Sequence, residues 1–105
     1  MTTDNVSRTD KAALRIDGEL TIYRATELKQ SLLAALDQTQ ELEVDLAAVT
    51  ELDTAGVQIL MLLKRQALAT ERKLHLVAHS PPVLEVFELL NLAAYFGDPL
   101  VIPRH

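Results

Sequence analysis

The residue types that could carry regulatory chemistry lie together in one short run, Asp-Thr-Ala-Gly at residues 53–56. This run directly precedes a strongly apolar helical pattern, so it is the predicted start of a helix. Thr54 is the predicted N-cap, because its side-chain oxygen can accept a hydrogen bond from a backbone N–H two or three residues on. The positive end of a helix dipole also tolerates a phosphate group. The run therefore suggests phosphorylation of a hydroxyl, although the same residues also fit a plain strand-to-helix turn.

The elements around this run alternate between strands and helices. Apolar residues recur at every second position in the segments predicted to be strands, residues 12–16, 20–23, 42–46 and 72–78. Asp17-Gly18 predicts a hairpin between the first two strands. Apolar residues spaced three or four apart predict the helices, residues 25–36, a helix after Thr54, a helix between Ser80 and Asn91, and a short helix at 92–96. Residues 100–102 suggest an edge strand or an extended tail. This order predicts an α/β fold with a mostly parallel sheet.

One flank of the helix after Thr54 is the predicted partner surface. Most apolar residues between 57 and 68 fall on one broad arc, which we expect to face the core. Leu62 falls outside this arc among polar residues, and Met61 lies at its edge. A plain solvent face fits the same pattern, since a lone exposed leucine is ordinary. The complete predicted surface comprises Asp53, Thr54, Ala55, Gly56, Gln58, Met61, Leu62 and Arg65.

Composition limits the classes of protein that the chain can represent. Its 105 residues suit one domain, predicted at residues 11–105 after a flexible polar leader at 1–10. A net charge of −5 argues against nucleic acid as a partner. There is no cysteine, no apolar run approaching the ~20 residues that span a bilayer, and no signal-peptide pattern. These features favour a cytoplasmic protein without disulfides.

The sequence lacks the motifs that common enzymes carry. Its three glycines, Gly18, Gly56 and Gly97, form no glycine-rich loop for a nucleotide, and there is no G-x-S-x-G elbow. His75 and His79 lie four residues apart on a predicted strand, about 13 Å, which is too far to share one metal ion. We therefore expect no catalysis, no metal site and no cofactor.

The segment from Asp45 to Val57 resembles the signature of the STAS domain family, the anti-sigma factor antagonists. That signature reads D-L-S-x-V-x-x-[IL]-D-[ST]-[SAT]-G-[LV], and Ala47 departs from it where a serine is usual. Thr54 takes the place of the commoner serine at the phosphorylated position. The matching residues are Asp45, Leu46, Val49, Leu52, Asp53, Thr54, Ala55, Gly56 and Val57.

The resemblance implies a STAS fold of four or five strands in a mixed, mostly parallel sheet, with helices packed on it. It also implies a non-enzymatic switch that binds an anti-sigma factor, often a Ser/Thr kinase, until phosphorylation of Thr54 breaks the complex and a phosphatase restores it. Asp53 would orient the loop or the partner, and Gly56 would allow close backbone access. Other members suggest a constitutive subunit of an ABC-type lipid transporter or of a chemotaxis complex. A small-ligand or nucleotide-binding module is a further alternative.

Overall fold

The computed structural model describes residues 11–97 of the chain, and the predicted leader and the predicted terminal segment at 100–102 lie outside them. The described elements are β1 (Lys11–Arg15), β2 (Gly18–Leu20), α1 (Ala25–Asp37), β3 (Glu41–Asp45), β4 (Val49–Leu52), α2 (Thr54–Ala69), β5 (Lys73–Val77), α3 (Pro81–Leu90) and α4 (Ala93–Phe96). The predicted α/β class is confirmed. Within the described range, no helix is long and apolar enough to cross a membrane.

The strands form two small sheets in which every described pairing is parallel. β3 lies between β1 and β5 in one sheet, and β2 pairs with β4 in the other. Parallel neighbours need a crossover connection, and helices supply it here. α1 connects β2 to β3 and α2 connects β4 to β5. This arrangement brings the ends of β2 and β4 to the loops that precede α1 and α2.

The hairpin predicted at Asp17-Gly18 is wrong. β1 and β2 follow one another along a single bent path and pair with different partners, β3 and β4. Across the bend, the N–H of Ile16 donates to the carbonyl of Asp45 at 3.1 Å, and the N–H of Gly18 donates to the carbonyl of Ala48 at 3.0 Å. Gly18 has a φ of +84°, which glycine adopts readily. The glycine therefore kinks the chain without reversing its direction.

β4 lies in a segment where the sequence pattern predicts no strand. Its first and last residues, Val49 and Leu52, are buried, and the two residues between them are exposed. The segment therefore lacks the alternation of apolar and polar residues by which a strand is recognised in a sequence. The second predicted strand, at 20–23, is displaced in the structure to Gly18–Leu20. Tyr23, at the end of the predicted strand, lies in the loop before α1 and is 88% exposed.

The core lies between the strands of both sheets and the apolar faces of the helices. α1 buries Leu28, Leu32 and Leu36, as its spacing predicts. From α2, the buried residues are Gly56, Val57, Ile59, Leu60, Leu63 and Ala67. Burying one such aliphatic side chain stabilises the fold by about 1.5–3 kcal/mol. Leu68, which the predicted arc placed in the core, is instead 66% exposed because it lies at the edge of that arc.

Candidate functional site

α2 begins at Thr54, and its N-cap is Asp53. The prediction that Thr54 is the cap is therefore wrong by one residue. Asp53 has extended backbone angles, and its Oδ1 accepts a hydrogen bond from the N–H of Gly56 at 3.0 Å. Its carbonyl accepts the first intrahelical bond, from the N–H of Val57 at 3.0 Å. Because the carboxylate satisfies the first turn, the Thr54 hydroxyl does not have to serve as the cap.

The second oxygen of the Asp53 carboxylate joins α2 to another element. Oδ2 accepts a hydrogen bond from the N–H of Ile22 at 3.1 Å, in the loop between β2 and α1. The hydrogen bond from Gly56, followed by the one from Ile22, lowers the pKa of Asp53 below its ordinary value. The ionised carboxylate therefore holds the start of α2 and the β2–α1 loop together.

Gly56 occupies a position that has no room for a side chain. A Cβ at this residue would lie 2.1 Å from the carbonyl oxygen of Leu20 and 2.7 Å from Cδ1 of Leu52. The first turn of α2 thus packs directly on the end of β2. The glycine predicted to give close backbone access gives it to the protein's own β2 strand in this structure.

Thr54 is exposed at the first position of α2. A group attached to its hydroxyl would extend into solvent at the positive end of the helix dipole. The Asp53 carboxylate, the adjacent negative charge, already accepts bonds from the first turn and from the neighbouring loop. A phosphate at Thr54 would therefore add charge to the surface without displacing the cap.

A groove of about 550 Å³ lies between α1 and α2, next to Thr54; we call it the α1–α2 groove. The α1 wall includes Ala25 and Lys29. The α2 residues that line it are Ala55, Gln58, Ile59, Met61, Leu62 and Arg65. Five of these belong to the surface predicted from sequence, so the structure brings that flank together as one concave face. Asp53, Thr54 and Gly56 lie at its end, in the first turn of α2.

Sequence reasoning missed the contribution of the β2–α1 loop. Ile22 is 65% exposed and Tyr23 is 88% exposed, and the N–H of Ile22 is bonded to Asp53. These two residues were assigned to a strand, and their local sequence carries no signal that they are exposed. Only the tertiary structure shows that these two large side chains are exposed to solvent beside the start of α2.

The described residues contain no group of three or more potential metal ligands. His75 Nε2 lies 2.9 Å from Oε2 of Glu41 on the neighbouring strand, so this histidine takes part in a cross-strand polar contact. His79 lies beyond the end of β5 and packs edge-on against Phe87, with ring centroids 5.2 Å apart. The two histidines have separate structural environments.

Comparison with known proteins places this fold among STAS domains. It is similar to the crystal structure of an anti-sigma factor antagonist from Mycobacterium paratuberculosis, with a TM-score of 0.75 and 26% identity over 89% of this chain and 80% of that one. The unphosphorylated form of the anti-sigma factor antagonist SpoIIAA matches with a TM-score of 0.70 and 20% identity, over 92% of this chain and 85% of that one. The STAS domain of a SulP transporter from Vibrio cholerae gives 0.65 and 16%, over 94% of this chain and 77% of that one.

A family model matches almost the whole sequence. It is described as "Mlab, STAS domain" and covers residues 5–102 of the 105. The match extends well beyond the segment around Thr54 that suggested the resemblance. The chain therefore belongs to the STAS domain family.

Proposed function

We propose that this protein is a phosphorylation-controlled protein–protein interaction switch of the anti-sigma factor antagonist type. The observation that carries the proposal is the position of Thr54, exposed in the first turn of α2 beside both the α1–α2 groove and the Ile22–Tyr23 loop. The partner is an anti-sigma factor that binds this surface while Thr54 is unmodified. If that factor is a Ser/Thr kinase, the kinase chemistry and its ATP belong to the partner, and this chain acts in the cytoplasm without a cofactor.

Phosphorylation would act on the complex more than on the fold. A phosphate adds about −1.5 to −2 charges and three acceptor oxygens. The helix N-terminus can accommodate that charge, and the exposed Thr54 leaves room for it. A partner packed over the same turn would have to desolvate the phosphate next to the Asp53 carboxylate, which is unfavourable without a new cationic contact. A phosphatase that removes the group restores binding.

The second candidate function is a constitutive STAS subunit of an ABC-type lipid transporter or of a signalling complex. One observation favours it: the residues that line the α1–α2 groove include Ala55 but not Thr54. A partner seated mainly in the groove would then remain bound whatever the state of that hydroxyl. The two candidates differ in whether a charge at Thr54 changes binding. A small-ligand module is the weaker alternative, because the groove is open along the helices.

The test is an affinity capture from lysate of the native cell, with four baits compared side by side: wild type, Thr54→Glu, Thr54→Ala and Thr50→Glu. Thr50 is exposed on β4, so Thr50→Glu adds the same charge on the preceding strand instead of in the first turn of α2. The switch predicts that wild type, Thr54→Ala and Thr50→Glu retain a kinase-like partner, and that Thr54→Glu loses it. Intact mass of the recovered wild type should show a fraction about 80 Da heavier, one phosphate group, and Thr54→Ala should not.

Circular dichroism of each bait shows first that the fold survives the substitution. A transporter or receptor component held equally by all four baits, with no added mass, contradicts the switch and supports the constitutive subunit. A phosphate found on another residue would also remove Thr54 from its proposed role.

A further inference from the structure

A second hollow of about 380 Å³ lies farther along the same two helices. Leu33 and Ala34 belong to its α1 wall, and Gln66 and Thr70 belong to its α2 wall. The residue numbers rise in the same direction along both walls, so α1 and α2 run side by side with the same polarity. At 1.5 Å per residue, the 13-residue α1 gives this double hollow a length of about 20 Å. That length matches three to four turns of a third helix.

The α1–α2 groove, which is the hollow nearer to Thr54, combines an apolar surface with a cationic residue on each helix. Met61 and Leu62, both half-buried, supply apolar surface from α2, and the buried Ile59 lies beneath them. Lys29 on α1 and Arg65 on α2 are exposed, and neither forms an ion pair within residues 11–97. They are the only charged residues among the described residues that line the α1–α2 groove, whereas the whole chain carries a net charge of −5. Complementary charge at such a place selects and orients a partner.

We propose that the α1–α2 groove binds an amphipathic helix of the partner protein, with an apolar stripe facing α2 and acidic side chains meeting Lys29 and Arg65. The proposal rests on the proposed function, because it names the kind of segment that the partner inserts. A helix suits the groove, since its walls are side chains of two helices and offer no strand edge for an added strand. The apolar stripe supplies the affinity, and the acidic residues fix the register between the two cationic residues.

The experiment is a selection from a displayed library of helix-forming peptides about four turns long, roughly 15 residues, on the full-length wild type. The double variant Lys29→Glu/Arg65→Glu takes no part in the selection and serves only to measure the affinity of the enriched peptides. Enriched peptides should carry apolar residues at three- and four-residue spacing flanked by Asp or Glu. Their affinity should fall at least tenfold on the double variant. Replacing their acidic residues by lysine should restore binding to that variant, and this charge swap is a result that misfolding cannot produce.

The matched control is Lys11→Glu/Lys73→Glu, which makes the same charge change on the outer strands of the larger sheet. This control should keep wild-type affinity for the selected peptides. Enriched peptides that lack acidic residues, or that bind both double variants equally, overturn the proposal, as does a selection without enrichment. Concentration-dependent self-association of the wild type that Arg65→Glu abolishes would also overturn it, by assigning the groove to a second copy.

The outcome is separable from the test of Thr54. If the charge swap works and Thr54→Glu still binds its partner, the groove takes an acidic helix and the phosphorylation switch fails. If Thr54→Glu releases the partner but the peptides ignore Lys29 and Arg65, the switch stands and the inference about the groove fails.

Discussion

Substituting Gly56 by alanine should destabilise the protein, although helix propensity alone predicts the opposite. In a helix, alanine is favoured over glycine by about 1 kcal/mol. Here the added Cβ would lie 2.1 Å from the carbonyl oxygen of Leu20, whereas atoms pack comfortably at about 3.5–4 Å. The obstacle is backbone, so the start of α2 must move away from the end of β2 by about 1 Å or more.

That movement sets the size of the effect. Overpacking of this kind costs about 1–3 kcal/mol. Moving α2 also stretches the 3.1 Å bond from the N–H of Ile22 to Asp53, and a bond to a charged group contributes about 1.5–3 kcal/mol. After the gain in propensity, we expect the free energy of unfolding to fall by about 2–4 kcal/mol. With a typical dependence on urea, the midpoint of unfolding falls by about 1–2 M.

Urea unfolding followed by far-UV circular dichroism measures this change, and hydrogen exchange at the Ile22 amide reports whether the bond to Asp53 is lost. Gly97→Ala is the control, because Gly97 has a φ of +76° but no atom within 4 Å of the added Cβ. Its cost comes from backbone conformation alone, about 1–2 kcal/mol, with Ile22 protection unchanged. A Gly56→Ala protein as stable as wild type would refute the reasoning, because helix propensity would then outweigh the steric contact.

Two further predictions concern hydrogen bonds that join separate elements. The pKa of Asp53 is lowered chiefly by the N–H of Gly56, so the stability that its carboxylate contributes is present above the ordinary pKa of 3.8 and is lost as pH falls through the folded value. The urea midpoint should therefore fall more steeply with acidification in wild type than in Asp53→Asn, and parallel curves would contradict this assignment. Arg72 donates from Nε to the carbonyl of Thr39 at 2.8 Å and from Nη2 to that of Asp37 at 3.3 Å. Arg72→Ala should lower the free energy of unfolding by about 1–2 kcal/mol in the same assay, and Arg72→Lys should recover part of that loss; equal stability of all three proteins would show that the bonds contribute nothing.

The parts of the fold that follow from local pattern were predicted well. α1 was predicted at residues 25–36 and runs from Ala25 to Asp37, and β3 and β5 were predicted from alternating apolar residues. Asn91, predicted to end α3, adopts the left-handed conformation with a φ of 56°. In these segments the buried face repeats with the period of the element itself. The residues that specify the structure are therefore neighbours in sequence.

Predictions failed where long-range contacts decide the outcome. Asp17-Gly18 has the local sequence of a hairpin, but the hydrogen bonds of Ile16 and Gly18 to the β3–β4 segment carry the chain forward. β4 was missed because its pairing with β2, more than the alternation of its residues, makes it a strand. The N-cap is Asp53 and not the predicted Thr54, because the Asp53 carboxylate accepts hydrogen bonds from both the first turn of α2 and the β2–α1 loop.

The sequence by itself determined the family signature, the presence of a hydroxyl at the start of α2 and the residues of the α2 flank, since all of these lie on one continuous segment. Only the tertiary structure decided which residues from other elements lie next to this segment. Lys29 reaches the groove because α1 packs alongside α2, and Ile22 reaches Asp53 because β2 ends where α2 begins. The physical reason is that parallel pairing through helical crossovers gathers the ends of distant elements at one edge of the sheet, and no local pattern records which ends meet.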